Sequence, residues 1–271
     1  MMKMVVKVIL LLLLSVASCR TSAYADGPVP ARAADPLTGM DAAAQPAERE
    51  MPTVWGSSQW WALLGGVAGV AAVVPADQSI ENVVQHNRNR TTDDVANFFT
   101  PFGADYAAIM IAGLYLYGVI LDDQNARETA IDSSIASLLA GFVTLDLKGA
   151  FGRSRPYLDK GAYNFEPLHP GDGRDSFPSG HSTEAFSIAS SISLHYDTPW
   201  VQVISYGIAG MVAWSRVEKN VHYTSDVAAG ALIGTTVGYA VFQIDRYYRQ
   251  KLTVDPVIGT AGYGVAFLYS F

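Results

Sequence analysis

One cysteine, Cys19, stands in the whole chain of 271 residues, so no intramolecular disulfide can form and packing alone must hold the fold. Charge is scarce too: Asp, Glu, Lys and Arg make up 16% of the residues. Basic charge is the scarcer sign, with 18 Lys and Arg against 25 Asp and Glu, a net charge of −7. That balance excludes the broad basic face that nucleic acid requires, so any anion site must be built locally from a few residues. No cluster of His, Cys, Asp and Glu has the spacing of a zinc or calcium site, and no metal or other cofactor is expected. No internal repeat divides the chain. The mean hydropathy of +0.18 lies above that of a typical soluble enzyme and below that expected of a chain made mostly of spanning helices.

The sequence opens on an export signal. Lys3 and Lys7 flank the short n-region, and VILLLLLSVAS supplies the apolar stretch. Val16-Ala17-Ser18-Cys19 resembles a bacterial lipobox, which would make Cys19 a lipid-anchored N-terminus. Ala23-Tyr24-Ala25 fits ordinary cleavage before Asp26, and an uncleaved anchor helix is a third option. Residues 1–18 are therefore read as the signal segment. Residues 19–57, rich in Ala, Pro, Asp and Glu and without periodicity, read as a flexible linker.

Residues 58–250 form the main domain. Six apolar segments alternate there with polar connections: 60–76, 106–121, 133–147, 182–196, 199–215 and 225–244. Each is long enough for a helix, and most are rich in Gly, Ala and Ser, which lets helices approach closely. The expected fold is all-α, a six-helix bundle. The tail, 251–271, differs: LTVDPVI and YGVAFLYS are β-prone and joined by GTAG, the signal of a short C-terminal β-hairpin.

Chemistry concentrates at the polar ends of the segments. KGAFGRSRP carries Lys148, Arg153, Arg155 and Pro156. SFPSGHST carries Ser179, Gly180 and His181 where a loop becomes a helix, a place where free N–H groups and the helix dipole attract an anion. SRVEKNVHYTSD carries Ser215, Arg216, His222 and Asp226. Singly, each has a plain reading as a charge run, a turn or a helix end. In an up-down bundle all three fall at one pole, which gathers Lys, Arg, His and Asp within an acidic protein. Guanidinium forks match phosphate oxygens, Lys148 adds a point charge, and the backbone N–H groups of Ser179, Gly180 and His181 can complete a cradle. The four-residue spacing of His222 and Asp226 lets the carboxylate hold one ring N–H and leaves the other nitrogen free as a nucleophile. His181 is then placed to protonate the leaving oxygen. Arg153 is read as a rim charge. His86, His169 and His195 fit no part of the pattern, and the loop with Asp172, Arg174 and Asp175 could line a lid.

The order K-x6-R-P, P-S-G-H, S-R-x5-H-x3-D resembles the signature of the type 2 phosphatidic acid phosphatase superfamily, shared with vanadium haloperoxidases and bacterial acid phosphatases. Lys148, Arg155-Pro156, Pro178 to His181, Ser215-Arg216, His222 and Asp226 match it without a gap. The resemblance implies that superfamily's helical bundle and a metal-independent phosphatase working through a phosphohistidine. By position His222 would be the nucleophile, Asp226 its partner and His181 the acid. Lys148, Arg155 and Arg216 would bind phosphate with Ser179 and Gly180.

The expected substrate is a phosphomonoester or diphosphate on a lipid: phosphatidic acid, phosphatidylglycerol phosphate, a polyprenyl diphosphate or lipid A. The expected partner is a membrane. A vanadate-dependent haloperoxidase and a non-enzymatic membrane scaffold are the alternatives. The segments 133–147 and 182–196 fall short of the roughly 20 residues a span needs. An exported, periplasmic bundle held to the membrane by lipid or by apolar helix faces is therefore expected. The sequence carries no signal of oligomeric state.

Overall fold

In a computed structural model, residues 55–269 are described, apart from Pro170 and residues 260–261, with backbone course alone for 250–259 and 262–269. The signal segment, Cys19 and nearly all of the linker lie outside the described residues.

The described chain is mostly helical. Eight α-helices follow one another: α1 Ser57–Val73, α2 Asp77–Asn87, α3 Arg90–Phe99, α4 Asp105–Ile120, α5 Gln124–Phe151, α6 Gly180–His195, α7 Pro199–Glu218 and α8 Thr224–Lys251. The expectation of six is corrected by α2 and α3, whose polar, amphipathic sequences hid them among apparent connections. Asn89 caps α3 by accepting from the N–H groups of Thr91 and Thr92, while the Thr92 hydroxyl accepts from the N–H of Asn89. After α8, Leu252–Gly259 and Gly262–Tyr269 pair as antiparallel strands, with Gly259 opposite Gly262.

The six longer helices run up and down. The C-terminal ends of α5 and α7 and the N-terminal ends of α6 and α8 meet at one pole, where α2 and α3 cover them: Gln85 of α2 donates to the carbonyls of Val217 and Glu218. Helix α5 starts on the Asp123 side chain, which accepts from the N–H of Ala126. It ends at Gly152, in the left-handed region at φ 55°, where a Cβ would lie 1.9 Å from the Glu166 carbonyl. Only glycine fits, and the chain turns there into the loop that carries Arg153 and Arg155.

The tightest seam is α6 on α8. Gly230, Gly234 and Gly238 recur every four residues along one face of α8. A Cβ on them would meet the Ser179 carbonyl at 2.5 Å, the Thr183 carbonyl at 2.3 Å and the Ser190 Cβ at 2.8 Å. Ser182, Ser187, Ser190 and Ser191 of α6 bond within their helix end or across the seam, as Ser190 does to the Thr235 carbonyl. A core of Ala185, Ala189, Ala209 and Val212 packs α6 on α7. Small residues, rather than bulky ones, let the backbones that carry the site approach this closely.

The expectation that the segments are too short to span is corrected for 133–147, which lies inside the 28-residue α5. Its polar ends, Asp132 and Asp146, are helical and do not end the element. Among the described residues, three stretches are long and apolar enough to cross a membrane, Ser57–Asn87, Gln124–Phe151 and Thr224–Arg249, and the bent pair Arg90–Gly103 with Asp105–Ile120 makes a fourth if counted as one span. Large apolar side chains stand exposed along α4 and α5, among them Ile109, Leu116, Ile120, Leu138 and Phe142. The exposed fraction of Leu138 is 65%. Continuous apolar exposure of this kind marks a membrane-facing surface.

Candidate active site

All eight residues singled out in the sequence lie at the pole shared by α5, α6, α7 and α8. Lys148, in the last turn of α5, donates to the Asp175 carbonyl and lies 3.9 Å from that residue's carboxylate. A Cβ on Gly180 would sit 4.0 Å from the Lys148 side chain, so the α6 N-terminus faces it. Arg155 forks onto Asp175, with Nε and one Nη each 2.7 Å from a carboxylate oxygen. Arg216, in the last turn of α7, is 8% exposed and its Nε has no partner among the described residues. A buried guanidinium without a carboxylate is costly, and an arriving anion would relieve that cost.

Gly180 and His181 occupy the first turn of α6, where their N–H groups have no intrahelical carbonyl. Ser179 differs from its expected part. Its N–H already donates to the Asp226 carbonyl at 3.0 Å, so it tethers α6 to α8 and is not a free cradle donor. Its fully buried hydroxyl accepts from Ser182.

His181 lies beneath the turn that follows α3: a Cβ on Gly103 would meet its carbonyl at 2.7 Å. Burial, then the charges of Arg216, His222, Arg155 and Lys148, push its pKa down to about 3. His222 is buried, and burial outweighs the opposing Asp226 carboxylate to hold its pKa near 4. The His222 ring is thus neutral at pH 7.

The pairing of His222 with Asp226 is more indirect than its spacing suggests. Nδ1 of His222 lies 2.7 Å from the Ser176 carbonyl and 3.7 Å from Asp226 Oδ2. The same Oδ2 accepts from the Ser176 hydroxyl at 2.6 Å and the Tyr223 N–H at 2.8 Å. Ser176 therefore bridges the two, a role no spacing announced.

Arg153 is corrected outright. It is 1% exposed, not at the rim, and bonds Asp226 and Asp77. Asp77, at the start of α2, was not singled out in the sequence. Of the lid residues, Asp175 enters the site, Arg174 pairs with Glu166, and Asp172 is exposed. His169 and His86 are exposed, and His195 pairs with Asp132 at the opposite pole. No cluster of metal-ligating side chains occurs among the described residues.

The family description "PAP2 superfamily" matches residues 130–250. The lipid A 1-phosphatase of Porphyromonas gingivalis is 36% identical over 35% of this chain and 24% of its own length. The bacitracin transport permease protein BcrC of Bacillus licheniformis is 33% identical over 52% of this chain and 68% of its own. The crystal structure of LpxE from Aquifex aeolicus superposes with a TM-score of 0.50 at 25% identity, over 62% of this chain and 94% of that one. The chain belongs to the PAP2 superfamily. It spans about a quarter of the lipid A phosphatase and two thirds of BcrC.

Proposed function

We propose that this protein is a membrane-embedded phosphatase acting on a phosphate carried by a lipid. The observation that carries the reading is an uncompensated, buried Arg216 converging with Lys148 and Arg155 on the first turn of α6, beside a neutral His222. Lys148, Arg155, Arg216 and the N–H groups of Gly180 and His181 hold the phosphate oxygens. The free nitrogen of His222 attacks phosphorus and the bond to the leaving oxygen breaks. His181 gives that oxygen its proton. Phosphohistidine then carries the positive charge on its ring, because Nδ1 keeps its hydrogen. Water attacks phosphorus in the second step, His181 takes the water's proton, and His222 leaves as neutral imidazole.

Burial, with the positive charges of Arg216, Arg155 and Lys148 around the ring, keeps His181 without its extra proton. A bound phosphate cancels their charge and raises its pKa, so substrate arrival arms the acid.

A lipid is favoured over a sugar phosphate by the apolar girdle on α4 and α5 and by the lengths of the three stretches that can span. Lipid A phosphate and polyprenyl diphosphate head the substrate list, the first because it is named in a relative's activity. If α1 spans, Ser57 and the catalytic pole lie on opposite membrane faces. A periplasmic site and export of the residues before Ser57 then exclude each other.

The test is phosphate release from a panel of lipid phosphates by the purified protein. His222→Ala should abolish turnover, vanadate should inhibit, and EDTA should have no effect. The acid limb of kcat/KM should fall with decreasing pH around 4, as the nucleophile takes up its proton. Full activity of His222→Ala, or complete loss on chelation, refutes the assignment.

A further inference from the structure

We propose that Arg153 is a positioning residue of this site, and that Arg153 and Asp77 together set the charge that Asp226 presents to His222. The inference rests on the reading of His222 as nucleophile.

The guanidinium of Arg153 spends all five of its donors. One terminal nitrogen donates to Asp226 Oδ1 at 2.6 Å and the Ser225 hydroxyl at 2.8 Å. The other donates to Asp77 Oδ2 and the Ala162 carbonyl, both at 2.7 Å, and Nε donates to the same carbonyl at 3.1 Å. Its plane is closed in by the ring of Tyr223, 4.3 Å away, and that of Phe165, 5.2 Å away. Asp77 is also saturated, accepting from the N–H of Ser225 at 2.8 Å and from the Ser225 hydroxyl. Asp226 can then neither rotate nor exchange partners.

A bridge needed only for packing would balance its charges in the resting state. This one does not. Two carboxylates share one guanidinium, and with His222 neutral the cluster carries a net negative charge. It becomes neutral when the His222 ring turns cationic on phosphorylation. The buried charge therefore complements the intermediate and not the resting enzyme, which is the condition for lowering a barrier. Asp77 contributes that excess from α2, outside the part of the chain that matches the family.

The experiment measures kcat, KM and the pH profile of kcat/KM on the full-length protein. The variants are Asp77→Asn, Arg153→Gln and the double variant, and vanadate binding and thermal unfolding serve as folding checks. The other groups facing His222 stay in place: His181, Lys148, Arg155, Asp175, Arg216 and Asp226. Asp77→Asn removes a negative charge, so kcat should fall about tenfold or more with KM little changed. Its acid limb should move to lower pH by about half to one unit. Arg153→Gln should move the limb to higher pH. The double variant restores the net charge, and its limb should return near the wild-type position while kcat stays low. If Arg153→Gln does not fold, Asp77→Asn and the double variant decide the matter. Limbs that do not move, or that move together in one direction, overturn the proposal. Retained activity in His222→Ala would instead overturn the phosphatase reading beneath it.

Discussion

The two ends of the helical bundle handle charge in opposite ways. At the pole away from the site, carboxylates meet partners: Asp132 lies 2.9 Å from the His195 ring, and Arg249 pairs with Glu128 and Asp245. Asn125 of α5 donates to the His195 carbonyl of α6, so this pole also ties helix ends together. At the pole proposed as catalytic, Lys148 and Arg155 pair with one partly exposed carboxylate, Asp175, and Arg216 has no carboxylate partner among the described residues. A buried guanidinium without a carboxylate is costly by itself and becomes favourable with an anion bound. On the proposed reading, one pole serves stability and the other a ligand, though both are polar helix ends in an apolar bundle.

The comparison breaks most easily at Arg216. Arg216→Lys keeps the charge and loses the planar fork, and kcat/KM should drop by about 10²-fold with the thermal transition unchanged. Near wild-type kinetics would make Arg216 a helix-terminal charge and its missing partner accidental.

Asp175 sharpens the contrast by a smaller amount. Its carboxylate occupies the Arg155 fork that phosphate would claim, so Asp175→Asn should tighten vanadate inhibition by about two- to fivefold, as expected for a partly exposed ion pair. The Arg155 hydrogen bonds hold its pKa at about 2. Asp175 is thus ionised above that pH and loses its charge only in strong acid, so the gain should be constant from pH 5 to 8. Weaker inhibition in this variant would show that Asp175 orients Arg155 more than it competes.

The smallest expected effect on activity lies at the other pole. His195→Ala strands the buried Asp132 carboxylate, at a cost of about 1–3 kcal/mol for the unmade bond. The melting temperature should fall while kcat stays within about twofold of wild type. A loss of turnover matching that of Arg216→Lys would show the poles to be coupled.

The sequence by itself determined that the chain folds as a helical bundle, because apolar runs rich in small residues recur between polar connections. It also placed Lys148, Arg155, His181, Arg216 and His222 at one pole, because charged residues at segment ends can only gather where those ends meet. Three matters were left to the tertiary structure. Whether a charge is rim or core was one: Arg153 and Arg155 are two residues apart on one loop, yet the first is buried between two carboxylates and the second faces the site. The sequence partner of His222 was another, because a spacing of four puts Asp226 near the ring while the loop decides that the Ser176 carbonyl takes the Nδ1 hydrogen. Asp77 was the third. It lies 148 positions from Ser225 and meets it only through the packing of α1 and α2 on α8. Local pattern is written by neighbours along the chain. A buried charge network is fixed by whichever side chains the fold brings within about 3 Å of one another, and no periodicity carries that distance.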